Sequence, residues 1–532
     1  MNAAEISTVL ATAIAQGGGD TAFGMPGGGN NLDFIGAVEA VGMRFVLAHA
    51  ETPAAIMASV YADLTDRPTA CVITRGPGAA SAVNGVANAM LDRQPVIIVA
   101  DAVDSAAYPR IAHQRFDQLT LFAPIVKWAV TLGCERTDIT AEHAVRLSMT
   151  QPRGPVFLNF DPPGQSPVAG PPAEVAAEIA VLPEDAVDLI SRATRPVILL
   201  GVGARHVRES VRSLVKGTKV PVLTTYRAKG LVPDSWPNAA GMLTGATMEA
   251  PLLESADLIL MVGVDTVEFI PNAWPYEAPV ISLAAWAETS PYISSVLEIV
   301  GDLDGLVRDA TRHLPETTWT PEAAHQHRAA ETQRLLAGPS PVDGLAPETV
   351  VQRARALAPA GTIATVDAGA HMLPAMELWD VENEDEALIS SGLATMGFAV
   401  PAAIAAALAR PGRRVVCFVG DGGLGMTLGE LETLRRYDLT VTVVVFNDSR
   451  LSLIAIKAKP EGNGGDDAVT FRAIDFAAVA TAYGFPGVRV ATVDELDRAL
   501  SASFSDSGPS LIDARVDPRG YAHILNAVRG KR

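Results

Sequence analysis

The chain has 532 residues, of which 48% are apolar and 19% charged, and its formal net charge is −19. This is a globular composition with apolar material for several cores, which excludes wholesale disorder. The acidic balance, with no basic patch or stripe, excludes a nucleic-acid-binding role, and no run approaches the roughly 18 uninterrupted apolar residues of a membrane span.

From the N-terminus, residues 1–17 hold Glu5 and no basic cluster before an apolar run, so they read as an amphipathic helix rather than a signal peptide. Short apolar runs then alternate with helix-length segments. They include Ala70-Cys-Val-Ile-Thr, Pro95-Val-Ile-Ile-Val-Ala, Pro196-Val-Ile-Leu-Leu, Leu258-Ile-Leu-Met-Val, Val415-Val-Cys-Phe-Val and Val441-Thr-Val-Val-Val-Phe. Runs this apolar suit strands buried on both faces of a parallel sheet. Two Pro/Gly-rich stretches interrupt the alternation, Asp161-Pro-Pro-Gly-Gln-Ser-Pro with Gly170-Pro-Pro, and Ala337-Gly-Pro-Ser-Pro to Pro347. Repeated prolines prevent regular ladders, so both read as linkers. The expected fold is α/β, with three doubly wound parallel-sheet domains at about 1–165, 180–330 and 345–532. The first and last thirds share a strand–helix texture. Cys71, Cys134 and Cys417 lie far apart and fit no disulfide framework, which points to a reducing, cytoplasmic setting.

The most informative unit lies in the last third. Gly420-Asp421-Gly422 follows an apolar run, a helix is expected over Thr427–Arg436, and the next run ends at Asn447-Asp448. In parallel sheets, ligands bind beyond the carboxyl ends of the strands, and both aspartates stand at such ends. Mg²⁺ takes oxygen ligands at about 2.0–2.1 Å and usually shares them with substrate phosphates. Glycine backbone and a nearby helix start favour a phosphate. The unit is suited to a metal-bridged diphosphate.

Gly-Asp-Gly closed by an asparagine pair after about this spacing is the signature of thiamine-diphosphate (ThDP) enzymes, which the segment resembles. The resemblance implies that Asp421 and Asp448 bind Mg²⁺ through their side chains and Arg450 through its backbone oxygen. It also implies that Gly420, Gly422, Gly423 and Leu451 line the cofactor. Asp448 departs from the pattern, standing where the family has its second asparagine. It remains an oxygen ligand and adds a negative charge.

The cofactor also needs a carboxylic acid beside its aminopyrimidine to exchange a proton with a ring nitrogen, which is general acid–base work. His49-Ala50-Glu51, with Ala58 and Tyr61-Ala62 downstream, resembles the catalytic glutamate segment of the acetolactate synthase branch, which makes Glu51 that acid. Phe23-Gly-Met-Pro-Gly-Gly28 resembles the family's first strand–loop, and Thr74-Arg-Gly76-Pro-Gly its Ser-Gly-Pro-Gly loop beside the cofactor. Pro124-Ile-Val-Lys-Trp128 resembles the segment after the active-site glutamine. Counting back gives Gln114, preceded by His113, as groups that orient substrate or relay protons. Asp367-Ala-Gly369-Ala370-His371 resembles a diphosphate-contacting loop. Ser391-Gly-Leu-Ala394-Thr-Met396-Gly resembles the segment that bends the cofactor, with Met396 wedged between its rings and the Ala394 carbonyl accepting from the 4′-amino group.

The implied enzyme is a carboligase that decarboxylates a 2-oxo acid such as pyruvate and joins the product to a second carbonyl. The alternatives are an aldehyde lyase or 2-oxo acid decarboxylase resembling benzaldehyde lyase or benzoylformate decarboxylase, and a non-catalytic regulatory homologue. The resemblance also implies at least a homodimer, with Glu51 of one chain serving Asp421 of the other, and a homotetramer as two such pairs. The middle third, with Pro196-Val-Ile-Leu-Leu-Gly-Val-Gly and Thr224-Thr-Tyr-Arg-Ala-Lys-Gly230, resembles the central domain that holds FAD in some relatives. Gly263-Val-Asp-Thr-Val-Glu268 does not resemble the arginine- and aspartate-rich stretch of the FAD-binding synthases, so no FAD is expected. A plain nucleotide-binding protein would need a full Gly-x-Gly-x-x-Gly opening a helix, and none is found in that context. The Lys457–Asp467 segment reads as a lid that differs from the synthases.

Overall fold

The structure, a computed structural model, describes residues 1–103, 107–162, 164, 179–269, 274–287, 293, 296–457 and 466–530. Residues 163 and 165–172 of the first expected linker, and 458–465 of the expected lid, lie outside the described residues.

Three six-stranded parallel sheets carry the fold. The first runs, in spatial order, Arg44–Leu47, Thr21–Met25, Ala70–Ile73, Val96–Asp101, Pro155–Phe160, Trp128–Leu132. The second runs Val296–Val300, Val280–Ala284, Leu258–Val262, Pro196–Leu200, Val222–Thr224, Ala239–Met242. The third runs Ala387–Ile389, Ile363–Val366, Val415–Gly420, Val441–Asn447, Ser510–Arg515, Gly487–Val490. The α/β reading with three such sheets therefore holds. Central strands such as Ala70–Ile73, Val96–Asp101 and Val441–Asn447 are buried at every position, so their apolar runs do not alternate. The first and third sheets share one strand order, second-first-third-fourth-sixth-fifth in chain sequence, which accounts for the common texture of the two thirds.

The chain forms two compact units. One comprises Met1–Glu174, Gly392–Gly412 and Met426–Val441; the other comprises Val175–Ser391, Arg413–Gly425 and Thr442–Arg532. The helix Ala399–Ala409, almost wholly apolar and buried on nearly every side, belongs to the first unit, where it packs on the helix Glu51–Thr65. The N-terminal segment forms the helix Ala3–Gln16, closed by a capping box between Asn2 and Glu5, with Ile6, Leu10 and Ile14 buried on one stripe. Among the described residues no helix is long and apolar enough to cross a membrane.

One expected element differs. In place of a helix over Thr427–Arg436, two short helices, Asp421–Met426 and Glu430–Arg436, are separated by Thr427–Gly429. Gly429 keeps right-handed helical dihedrals at the start of the second helix, and it must be glycine because a Cβ there would lie 2.8 Å from the Cβ of His49.

Candidate active site

The strand order of each sheet reverses at one point, and the loops that leave the carboxyl ends there form a crevice. In the first sheet the reversal falls between Thr21–Met25 and Ala70–Ile73, so the crevice loops are Pro26–Gly29 and Thr74–Gly78. In the third it falls between Ile363–Val366 and Val415–Gly420, so they are Asp367–His371 and Gly420–Gly423. Gly28, Gly76, Gly369, Ala370, His371 and the Gly-Asp-Gly unit thus all leave strand ends at reversal points, which parallel-sheet topology dictates.

In the first unit, Glu51 is the first residue of the helix Glu51–Thr65. A Cβ built on Gly78 would lie 3.1 Å from Glu51 Oε1, so the carboxylate rests against the start of the helix Pro77–Leu91. Gly76, at φ +68°, packs on Gln114: an added Cβ would stand 2.8 Å from both the Cβ and the carbonyl oxygen of Gln114. Gln114 itself has φ +56°. Such a conformation in a non-glycine residue is strained and must be held by its surroundings. Gly76 N–H also donates to Gln118 Oε1 at 2.8 Å, and Gln118 Nε2 donates to the Asp101 carbonyl at 3.0 Å and Asn159 Oδ1 at 2.7 Å. Glu51, Gly76 and Gln114 therefore converge on one loop. His113 lies exposed beside Gln114, and Gly28 faces open space.

Ala394 and Met396 belong to this unit as well. Gly392 N–H donates to Asp92 Oδ1 at 2.7 Å, just after the helix Pro77–Leu91, and the Thr395 hydroxyl donates to Asn84 Oδ1 at 3.0 Å, in the middle of that helix. Ala394 is held at φ +52°, which turns its carbonyl away from regular pairing.

In the second unit, Asp421 and Asp448 end the adjacent strands Val415–Gly420 and Val441–Asn447. Asp421 Oδ1 accepts from Gly422 N–H at 2.7 Å, while Oδ2 is buried with no hydrogen-bond partner. Asp448 Oδ1 accepts from Arg450 N–H at 3.0 Å and Oδ2 from the Ser452 hydroxyl, across a tight turn with Ser449 at φ +59°. Burial, and then the neighbouring Asp421 charge, push the Asp448 carboxyl up to about 7; burial likewise raises Asp421. A buried and a half-buried carboxylate in mutual repulsion, the buried one with an orphaned oxygen, are a donor set that fits a hard divalent cation. Among the described residues no cluster of three His, Cys, Asp or Glu side chains has the form of a metal cage, so two carboxylates and backbone oxygens are what this site offers.

His371 is 4% exposed, and its ring stacks on Phe446 at 5.2 Å. Burial lowers its pKa to about 3, so the imidazole is neutral. Added Cβ atoms on Gly369 and Gly420 would stand 2.7 and 3.2 Å from its Cε1. The ring is thus a spacer between the two crevice loops, which leaves their backbone to face outward. Gly423 meets Asp367 even more closely: a Cβ there would fall 1.9 Å from Asp367 Oδ2. Leu451 N–H is bonded to the Val469 carbonyl at 2.8 Å. Gln118 is a part of these sites that no sequence pattern marked, because its role is a set of contacts with residues far along the chain.

The second sheet reverses between Pro196–Leu200 and Leu258–Val262, and there the crevice holds a side chain of its own. Glu268, 8% exposed, accepts from Val202 N–H at 2.9 Å, Asp265 N–H at 3.1 Å and the Thr225 hydroxyl. A Cβ on Gly201 would lie 2.6 Å from its Oε2. Burial raises this carboxyl from 4.5 to about 7. Between those values the folded chain binds the proton more tightly than the unfolded chain. The contribution is therefore fully present below pH 4.5 and is lost as pH rises through about 7. Glu268→Gln keeps the acceptor for both backbone N–H groups and removes the titration. The variant is expected to flatten the fall in thermal stability between pH 4.5 and 7, a slope of at most about 1.4 kcal/mol per pH unit. An unchanged slope in the melting curves would place that titration elsewhere.

Comparison with known proteins agrees with this architecture. Residues 4–121 match the family profile described as thiamine pyrophosphate enzyme, N-terminal TPP binding domain, residues 183–308 its central domain, and residues 367–514 its C-terminal TPP binding domain. The acetolactate synthase isozyme 1 large subunit of Escherichia coli K12 is 28% identical over 516 residues, covering 93% of this chain and 91% of its own. The acetolactate synthase of Bacillus subtilis 168 is 28% identical, covering 96% and 92%. Among solved structures, the thiamine diphosphate-dependent 4-hydroxybenzoylformate decarboxylase of Rhodococcus jostii RHA1 superposes with a TM-score of 0.80 at 22% identity, over 97% of this chain and 99% of that one, and shares the fold. The chain is thus an enzyme of the thiamine pyrophosphate family, with acetolactate synthases among its curated relatives.

Proposed function

We propose that the chain is a ThDP- and Mg²⁺-dependent carboligase of acetolactate synthase type, acting on a 2-oxo acid such as pyruvate. The observation that carries the cofactor site is the pair Asp421 and Asp448 at adjacent strand ends, with a buried Asp421 oxygen left without a donor. The likeness to curated acetolactate synthases supports the choice of reaction.

When bound, ThDP supplies the carbon nucleophile and the electron sink needed to make or break a bond beside a carbonyl. Asp421 and Asp448 would hold Mg²⁺ through carboxylate oxygens and Arg450 through its carbonyl, and the cation's charge would offset the repulsion between the two acids. The backbone of Gly369, Ala370, His371, Gly420, Gly422, Gly423 and Leu451 lines the diphosphate. Met396 sets the angle between the cofactor rings, and the Ala394 carbonyl accepts from the 4′-amino group. Gly28 and Gly76 let backbone approach the pyrimidine side. Glu51 exchanges a proton with the ring nitrogen through its carboxyl. Gln114 and His113 orient the substrate carbonyl. The active assembly is a homodimer, Glu51 of one chain serving Asp421 of the other, paired into a homotetramer in the cytoplasm. Glu268 already occupies the backbone N–H of Val202 at the central crevice, which supports a reading without FAD.

The test is thermal unfolding with and without ThDP and Mg²⁺, followed by a CO₂-release screen over pyruvate, 2-oxobutanoate, benzoylformate and branched 2-oxo acids. A ligand that binds only the folded state raises the melting temperature. A rise with CO₂ release from pyruvate and formation of an acyloin or acetohydroxy acid is expected. A rise without CO₂ from any donor favours the aldehyde-lyase alternative, and no rise favours the non-catalytic homologue.

A further inference from the structure

The helix that begins at Glu51 lacks a cap of its own. Its N-cap residue is Ala50, which has no side chain able to accept from the free N–H groups of the first turn. A carboxylate from far along the chain instead holds the two residues that lead into the helix. Glu430, 1% exposed, takes the His49 N–H on Oε1 at 2.9 Å, and the Ala50 N–H also donates to its carboxylate. The Thr433 hydroxyl donates to Glu430 Oε2 at 2.8 Å and fixes the rotamer. Two further contacts hold the same segment: His49 Nε2 lies 2.8 Å from Glu432 Oε2, and Gly429 lets the chain pass against the His49 side chain. All these residues belong to one compact unit. A buried carboxylate with its donors on the two residues before Glu51 also sits where the helix dipole favours negative charge.

We propose that Glu430 is a positioning residue for Glu51, anchoring the backbone that enters its helix and so fixing where the catalytic carboxylate stands. The inference rests on the assignment of Glu51 as the proton-exchanging acid. A displacement of about 1 Å at such a group can lower rate about 100-fold without loss of binding. Glu430→Ala is therefore expected to slow exchange of the thiazolium C2 proton in D₂O by roughly 10–100-fold, with ThDP affinity unchanged. Glu430→Gln keeps an acceptor and should recover most of the rate.

The deciding experiment is the double-mutant cycle of Glu430→Ala with Glu51→Gln in the full-length ThDP–Mg²⁺ enzyme, combined with amide hydrogen exchange of the unliganded chain. If Glu430 acts through Glu51, its removal adds no further loss in the Glu51→Gln background. The amides of His49 and Ala50 then lose protection while the sheet strands keep theirs. An equal loss in both backgrounds, or unchanged protection at His49 and Ala50, overturns the proposal. Full activity of Glu430→Ala beside an impaired Glu51→Gln overturns the proposal alone, whereas full activity of Glu51→Gln overturns the assignment of Glu51 as well. Should Glu430→Ala fail to fold, the same cycle and the same amides are read with Glu430→Gln, which is then expected to show a smaller loss that vanishes in the Glu51→Gln background.

Discussion

Glu51→Gln is expected to bind ThDP as the parent does and to lose about 10²–10⁴-fold in turnover, the usual contribution of a positioned general acid–base group. The amide keeps the shape of the carboxyl at the first position of the helix Glu51–Thr65, so its contact with Gly78 survives. What disappears is the exchangeable carboxyl proton. The fall should therefore appear in turnover and in C2 proton exchange, with the melting-temperature rise on adding cofactor intact. Near-normal turnover would remove Glu51 from the mechanism. A lost cofactor response would instead mean that the residue shapes the site rather than moves a proton.

Asp421→Ala should abolish Mg²⁺-dependent ThDP binding. Second-shell partners of a metal typically contribute 10–100-fold in affinity, and a direct ligand should exceed about 100-fold. The effect on the unliganded protein has the opposite sign from an ordinary core truncation. Asp421 is buried, its Oδ2 has no partner, and its charge helps to raise the Asp448 carboxyl. Removing it relieves both penalties, so the unliganded melting temperature should stay level or rise. Titration of ThDP at fixed Mg²⁺, with melting curves of each form, separates the outcomes. Unchanged affinity would place the cation elsewhere, and a collapsed unliganded protein would make Asp421 a folding residue.

Much of this was legible because it is local. Buried parallel strands need uninterrupted apolar runs, so Val415–Gly420 and Val441–Asn447 could be located from composition alone. Glycine is needed where a neighbour leaves no room for a Cβ, as at Gly76 against Gln114 and at Gly369 and Gly420 against the His371 ring, so the crevice loops announced themselves at these positions. Spacing across one strand–helix–strand unit placed Asp421 and Asp448 at neighbouring strand ends. The helix after Gly-Asp-Gly starts at Glu430, three residues later than expected, and the need for glycine at 429 comes from His49, 380 positions away, a neighbour that no local propensity encodes.

The sequence by itself determined the class of fold and the family and named candidate residues for the cofactor, since periodicity, glycine placement and motif spacing act over a few tens of residues. Only the tertiary structure decided which groups meet. It packed Gln114 against Gly76, pressed Asp367 on Gly423, filled the central crevice with Glu268 and bonded Glu430 to the backbone of His49 ahead of the Glu51 helix. Each of these is a contact between segments distant in the chain. A buried carboxylate or a glycine in close contact is specified by the partner it meets in space, and that partner is set by how the sheets and helices pack.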